Sequence, residues 1–232
     1  SSGLTDFKIT IQVVFTVHLL SANSSVHSME TPFGALQLSR HKTAFSPAHK
    51  ALFVADVHLG KAATFRSLGV PVPAGTTQEN LDKLSECIAE FNPLSVYFLG
   101  DLLHAKMAHN PDLLGKLLAW RAQHTNLAMT LIRGNHDSKA GDPPANLNIS
   151  VVEEPFMLGG FALCHHPQTV QDALVLAGHE HPVVVLNGKG RSRARLPCFY
   201  LKTDQLILPS FGAFTGGYAV NPQAGEAVFP VV

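Results

Sequence analysis

The feature that most constrains this fold is a set of short apolar runs that each end at a polar residue. Each run has the length and composition of a buried parallel strand. The runs are 51–55, 96–99, 127–132, 161–164 and 174–177. Within three residues of its end, each is followed by Asp, Asn or His. Because the carboxyl ends of parallel strands meet at one edge of a sheet, we expect these polar side chains to line a common rim.

The polar residues at these strand ends are oxygen and nitrogen donors without a thiolate. The candidate metal ligands are Asp56, His58, Asp101, Asn135, His165, His179 and His181. This mixture suits manganese, iron or zinc in a catalytic site rather than a structural zinc site. Seven ligands are too many for one open ion but suit two ions that share a carboxylate. Two ions about 3.5–4 Å apart stabilise both oxygens of an in-line displacement at phosphorus.

The order of secondary structure predicts the fold class. The first strands alternate with two helices. One runs from Thr76 to about Glu90 and begins with a capping box, and the other begins at Pro111. From Ser150 onward the chain reads as short strands between turns. This pattern predicts an α/β (α+β) fold of four layers, with two packed β-sheets flanked by helices. We expect a single domain over 29–232 and an N-terminal extension over 1–28 outside the catalytic core.

Composition excludes some classes of protein. The formal net charge of the 232 residues is zero, which argues against a protein held to nucleic acid mainly by its overall charge. The three scattered cysteines suit a reducing compartment and form no zinc motif. No apolar run reaches the roughly 18 residues of a membrane span. We therefore expect a cytoplasmic protein without a membrane segment.

As a set, the strand-end motifs resemble the calcineurin-like metallophosphoesterase superfamily. The motifs occur in the order typical of that superfamily and span residues 56 to 181. The resemblance implies a dinuclear-metal phosphoesterase. It implies that one ion is held by Asp56, His58 and His181, the other by Asn135, His165 and His179, and that Asp101 bridges them.

Segments 56–66, 69–73 and 206–217 resemble the bacterial ligase-associated metallophosphoesterases of DNA-damage-response clusters. That resemblance covers nearly everything from Gly34 to Val232. It implies a phosphodiesterase with two divalent ions, most often Mn²⁺, that acts as an endonuclease in DNA repair. The substrate would be single-stranded or nicked DNA, and the functional partners a DNA ligase, a helicase and an exonuclease. A diesterase for small or cyclic nucleotides is the alternative, and a non-catalytic scaffold is disfavoured by the complete ligand set.

Two further residues are candidate catalysts. His136 binds no metal in this scheme and is the candidate proton donor or transition-state stabiliser, and Asp137 could orient it. Alternatively, Asp137 only caps the next turn. His166 competes with His165 as a ligand, and we favour His165 because it lies nearer the strand end.

Candidate substrate-binding residues are less specific. His104 could contact phosphate or support the metal ligands from behind. Arg66, Arg133 and Lys61 are candidate phosphate ligands, with exposed surface charges as the alternative. The basic run 189–195 is either a plain surface loop or a contact for a polynucleotide backbone.

Overall fold

A computed structural model describes residues 16–17, 26–71, 75–104, 111–187, 193–213 and 215–232. In chain order its strands are β1 (Thr16–Val17), β2 (Val26–Met29), β3 (Leu36–Ser39), β4 (Thr43–Ser46), β5 (Ala51–Val54), β6 (Ser95–Leu99), β7 (Ala128–Ile132), β8 (Ser150–Val152), β9 (Phe156–Leu158), β10 (Phe161–Leu163), β11 (Leu174–Ala177), β12 (Pro182–Asn187), β13 (Arg193–Leu201), β14 (Gln205–Ile207), β15 (Tyr218–Ala219) and β16 (Ala227–Pro230). The helices are α1 (Lys61–Ser67), α2 (Thr76–Phe91), α3 (Pro111–Ala122) and α4 (Asn135–Ala140), with a 3-10 turn at Ala145–Leu147.

The strands form two mixed sheets. The seven-stranded sheet has the order β2-β3-β4-β5-β6-β7-β8, antiparallel from β2 to β5 and parallel from β5 to β8. The nine-stranded sheet has the order β1-β16-β13-β14-β11-β10-β9, with β12 paired to β13 and β15 paired to β12. Strands β10, β11 and β14 are parallel neighbours. Each sheet therefore has a parallel part whose carboxyl ends share one edge.

Alternation along the strands assigns each face of the seven-stranded sheet to a different core. In β5, Leu52 and Val54 join a cluster with the buried leucines of α2 and α3. Their neighbours Ala51 and Phe53 join a cluster with residues of β10, β11 and β14. Because strand side chains point alternately to opposite faces, one four-residue strand contributes to both cores. The ring of Phe53 lies 6.3 Å from that of Phe161 between the two sheets.

The predicted fold class of two packed sheets flanked by helices is confirmed. Helix α2 begins at the predicted Thr76 and α3 at the predicted Pro111. The predicted capping box is wrong, because the N-cap is Gly75 in a left-handed conformation and makes no side-chain cap. In the described part of the chain, every helix is too short or too polar to span a bilayer.

Parts of the predicted N-terminal extension belong to the sheets. Val26 pairs with Ser39 and Met29 with Leu36, so β2 crosses the predicted boundary at residue 28. Strand β1 pairs with β16 at the far edge of the other sheet. The remainder of 1–25 lies outside the described residues, and the division of the chain at residue 28 stays a prediction.

Candidate active site and metal centre

The carboxyl ends of five parallel strands meet where the two sheets adjoin, and all seven predicted ligands lie there. Strands β5, β6 and β7 lead into Asp56, Asp101 and Asn135, and strands β10 and β11 lead into the histidines of the other sheet. Backbone bonds continue the pairing past the strand ends, since the His58 N–H donates to the Asp101 carbonyl at 2.9 Å. The predicted rim is therefore formed by both sheets.

Five of the seven predicted ligands have a left-handed backbone. Their φ angles lie between 48° and 69°, a region that non-glycine residues seldom occupy. The five are Asp56, His58, Asp101, His179 and His181. Such conformations persist where the surrounding structure determines them, and they concentrate at functional sites.

The first group of donors is Asp56, His58 and His181, whose ligand atoms lie within 4.8 Å of one another. His181 Nδ1 lies 3.1 Å from the Thr215 carbonyl, so in the neutral ring it carries the proton and Nε2 carries the lone pair. That Nε2 lies 3.3 Å from Asp56 Oδ1, a buried oxygen without a hydrogen-bond partner among the described residues. Two acceptors facing each other fit a divalent cation between them.

The second group is centred on His165, whose side chain is fully buried. Its Nδ1 donates to the Leu99 carbonyl at 3.1 Å, which leaves the lone pair on Nε2. That Nε2 lies 2.9 Å from Asn135 Oδ1 and 3.1 Å from His179 Nδ1. An imidazole lone pair and an amide oxygen at this separation also fit a shared cation.

Asp101 lies between the two groups. Its Oδ1 is 3.6 Å from His165 Nε2, and its Oδ2 is 3.9 Å from His58 Nε2. The carboxylate therefore presents one oxygen to each group, as a bridging ligand would.

The glycines in three of the strand-end motifs leave room for a ligand of a neighbouring motif. A Cβ on Gly100 would lie 2.1 Å from the His165 ring, and one on Gly134 would lie 2.3 Å from Asp101 Oδ1. A Cβ on Gly178 would lie 2.5 Å from Asp56 Oδ2. Any side chain at these three positions would displace a ligand, so the residue type follows from the packing.

Comparison with known proteins agrees with this geometry. Residues 49–183 match the family described as calcineurin-like phosphoesterase. The chain belongs to that family. All seven predicted ligands lie within the matched residues.

One solved structure is similar to this phosphoesterase over most of its length. The crystal structure of Pseudomonas putida nuclease MPE is 44% identical, with a TM-score of 0.79 over 89% of this chain and 96% of that one. The structure of Yfce, a phosphoesterase from E. coli, is 15% identical, with a TM-score of 0.39 over 72% of this chain and 83% of the other. No curated protein matches the chain.

Asp137 does not orient His136 in the phosphoesterase. Its buried carboxylate accepts hydrogen bonds from the backbone N–H groups of Asp101, Leu103 and Gly134, at 2.7, 3.1 and 3.0 Å. Consecutive residues of α4 point about 100° apart, so the two side chains diverge. These bonds give Asp137 a structural role in place of the predicted catalytic one. The alternative prediction, that Asp137 caps the turn, accounts for its bond to Gly134 but not for its bonds to Asp101 and Leu103.

His165 lies buried among the predicted ligands, and Glu154, which the sequence did not reveal, holds both His165 and His166. Glu154 Oε2 accepts the backbone N–H groups of His165 and His166 at 2.7 and 2.9 Å, and Oε1 lies 2.7 Å from His166 Nδ1. Burial raises the pKa of Glu154, but these hydrogen bonds outweigh it and hold that pKa below its usual value. His166 still lies close to His165 and His179 as a third nitrogen donor.

Three imidazole rings, of His58, His104 and His136, lie together beside the donor groups. The His136 ring stacks on that of His104 at 5.1 Å and lies 5.2 Å from that of His58. Burial, and then nearby positive charge, lowers the pKa of His58 and of His104, which favours the neutral imidazole in both. Burial also lowers the pKa of Lys61, while the charges of Asp101 and Asp56 oppose that shift. Lys61 therefore lies within the field of both carboxylates.

The other predicted phosphate ligands are placed less favourably. Arg133 forms ion pairs with Asp142 and Glu153, so its guanidinium is already occupied. Arg66 is exposed on α1. In the predicted basic run, residues 189–192 lie outside the described residues. Arg193 is exposed, and Arg195 donates a hydrogen bond to the Gly217 carbonyl.

Proposed function

We propose that this phosphoesterase is a two-metal DNA endonuclease. The observation that carries the proposal is the position of Asp101 between two groups of converging acceptors, each of which fits one divalent ion. In this scheme Asp56, His58 and His181 hold one ion, and Asn135, His165 and His179 hold the other. When bound, the two ions supply positive charge at the phosphate and lower the pKa of water.

The remaining roles fall to residues that hold no metal. His136 is one-third exposed, and its Nε2 lies 4.0 Å from Asp101 Oδ2, which supports a role beside the reacting phosphate. It donates a proton to the leaving oxygen. His104 and Lys61 contact the non-bridging phosphate oxygens, and the exposed Arg66 contacts the polynucleotide farther out.

A polynucleotide substrate is supported by the likeness to Pseudomonas putida nuclease MPE. A diesterase for cyclic or other small nucleotides is the rival function, since the zero net charge supplies no long-range attraction for DNA. We propose Mn²⁺ as the metal, with iron and zinc as alternatives that the same donors accept.

The cellular role that we propose is DNA repair in the cytoplasm, together with a DNA ligase, a helicase and an exonuclease. The three cysteines, Cys87, Cys164 and Cys198, are buried as free thiols, which fits a reducing compartment.

A cleavage assay with two substrate classes tests this function. Purified enzyme with Mn²⁺, Fe²⁺ or Zn²⁺ is incubated with circular single-stranded DNA, nicked plasmid and cyclic nucleotides. We expect linear products from the circle, which only an endonuclease can open. Turnover of cyclic nucleotides with an intact circle would establish the rival function. Asp142→Ala, an exposed carboxylate outside the centre, serves as the matched control for ligand substitutions.

A further inference from the structure

A cavity of about 190 Å³ adjoins the metal centre on the side of His181. One wall is apolar and contains Pro182, Val183 and Pro197, whereas Ser210, Thr215 and Lys42 contribute polar groups. His181 is shared between this cavity and the first donor group. A ligand at the metal centre that is longer than one phosphate can therefore extend into the cavity.

The register of the hairpin explains how Lys42 reaches this edge. Strands β4 and β5 are antiparallel, and Thr43 pairs with Val54, two residues before Asp56. The residue that precedes Thr43 therefore lies beside the carboxyl end of β5. The backbone N–H of Lys42 closes the β3–β4 turn on the Ser39 carbonyl at 2.9 Å.

Lys42 is unfavourable for the fold in two respects. Its φ is 67°, a left-handed conformation for which glycine or asparagine is better suited. Its ammonium forms no ion pair with any residue that the structure describes. Burial, and then the positive charge of Lys83, lowers its pKa to about 8. The Lys42 side chain is part-buried, and no anion among the described residues lies beside its charge to stabilise it.

We propose that the cavity is a subsite for a non-reacting phosphate of the DNA strand, with Lys42 as its ligand. The proposal rests on the proposed function and extends it to the phosphate that neighbours the scissile one. The cation of Lys42 and the hydroxyl groups of Ser210 and Thr215 suit a phosphate rather than a base. The apolar wall then lies against the sugar.

Substrates with defined charges test the subsite. Single-stranded oligonucleotides are made with uncharged methylphosphonate linkages except for one cleavable phosphodiester. Two further versions carry a second charged phosphate, which lies on the 5′ side of the cleavable linkage in one version and on the 3′ side in the other. This second phosphate is in a linkage that resists cleavage. For the wild-type enzyme with Mn²⁺, one of these versions should be cleaved on the order of tenfold faster than the version with a single phosphate, because it gains a charge-assisted contact.

In Lys42→Ala that advantage should disappear, while cleavage of the single-phosphate oligonucleotide and of an aryl phosphodiester stays unchanged. Lys42→Arg should retain most of the advantage. Lys50→Ala is the matched control, because Lys50 also has a left-handed backbone (φ 46°) but is exposed in the turn at the opposite end of β5. It should behave as wild type. Thermal unfolding should show no loss of stability in Lys42→Ala, since no partner is lost.

Three results would overturn the subsite: an unchanged advantage in Lys42→Ala, an equal loss on the aryl diester, or a marked loss of stability. If the wild-type enzyme cuts no DNA at all, the proposed function fails separately. Fluorescence anisotropy with the same oligonucleotides then decides the subsite. In that assay, equal affinities of Lys42→Ala and the wild type for every oligonucleotide would contradict the subsite. A lower affinity of Lys42→Ala for only one of the two-phosphate versions would support it.

Discussion

The carboxylate of Asp137 holds the backbone of Asp101 through a 2.7 Å hydrogen bond, although the two residues are 36 positions apart. The same carboxylate accepts two further N–H groups, from Leu103 and Gly134. The loop after β6 and the loop after β7 are thus joined by one buried side chain. The position of the proposed bridging ligand depends on that connection.

Asp137→Ala should therefore destabilise the protein. It leaves three buried donors without an acceptor, and each costs about 1–3 kcal/mol of unfolding free energy. Asp137→Asn keeps one acceptor oxygen and should lose less. Urea denaturation with Asp142→Ala as the control measures the difference. Normal stability combined with a loss of activity on DNA alone would return Asp137 to a catalytic pair with His136.

Asp101→Ala should abolish hydrolysis at any Mn²⁺ concentration, because the carboxylate contributes to both donor groups. His58→Ala removes a ligand from one group only, and excess Mn²⁺ should partly restore its activity. Metal analysis together with an aryl phosphodiester assay over a Mn²⁺ titration distinguishes the two variants. Near-normal turnover by Asp101→Ala would contradict the assignment of two metals.

His136→Ala tests proton donation. An alkoxide leaving from a DNA sugar requires a proton, whereas a nitrophenolate leaves without one. General acid catalysis is typically worth about 10²–10⁴-fold, so the variant should lose roughly that factor on DNA and clearly less on a p-nitrophenyl phosphodiester. Metal content should be unchanged. Equal losses on both substrates would instead indicate that His136 binds the phosphate.

Glu154→Ala should weaken metal binding without removing any ligand. Its carboxylate fixes the backbone of His165 and His166, and loss of such support typically costs about 10–100-fold in metal affinity. Isothermal titration with Mn²⁺ measures this directly. Glu153→Ala, which removes the adjacent carboxylate that pairs with Arg133, is the control and should bind Mn²⁺ normally. Equal affinities in the two variants would refute this role for Glu154.

The titration of Lys42 gives a prediction about pH. Its pKa is lowered from 10.5 to about 8 in the folded protein. Between these values the unfolded chain binds more protons than the folded one, so this residue makes the protein more stable as pH rises from about 8 toward 10.5. Lys42→Met should lack that gain. Urea denaturation of both proteins at pH 7.5 and 9.5 measures it, and parallel changes would show that Lys42 does not contribute.

The sequence predicted the rim of ligands because parallel strands impose a shared edge and because apolar strands that end in Asp or His are conspicuous. It did not predict the function of Asp137, since adjacency in sequence suggests a pair whereas helical rotation separates the side chains. Glu154 follows β8 among other polar residues, and only the tertiary fold brings it to His165. Lys42 was missed because a lysine in a turn is usually solvated. Strand β2 was missed because its pairing depends on Leu36 to Ser39 rather than on its own pattern.

The three glycines beside the ligands have a consequence for how such a centre can change over time. Each of these glycines leaves an empty space for a side chain of another motif, as Gly134 does for Asp101. A ligand cannot be replaced by a longer residue, and a glycine cannot be replaced by a residue with a side chain, unless the neighbouring loop changes in the same step. Two loops that fit together in this way constrain each other, so a tolerated substitution at one of the three glycines requires a second at the loop that it faces.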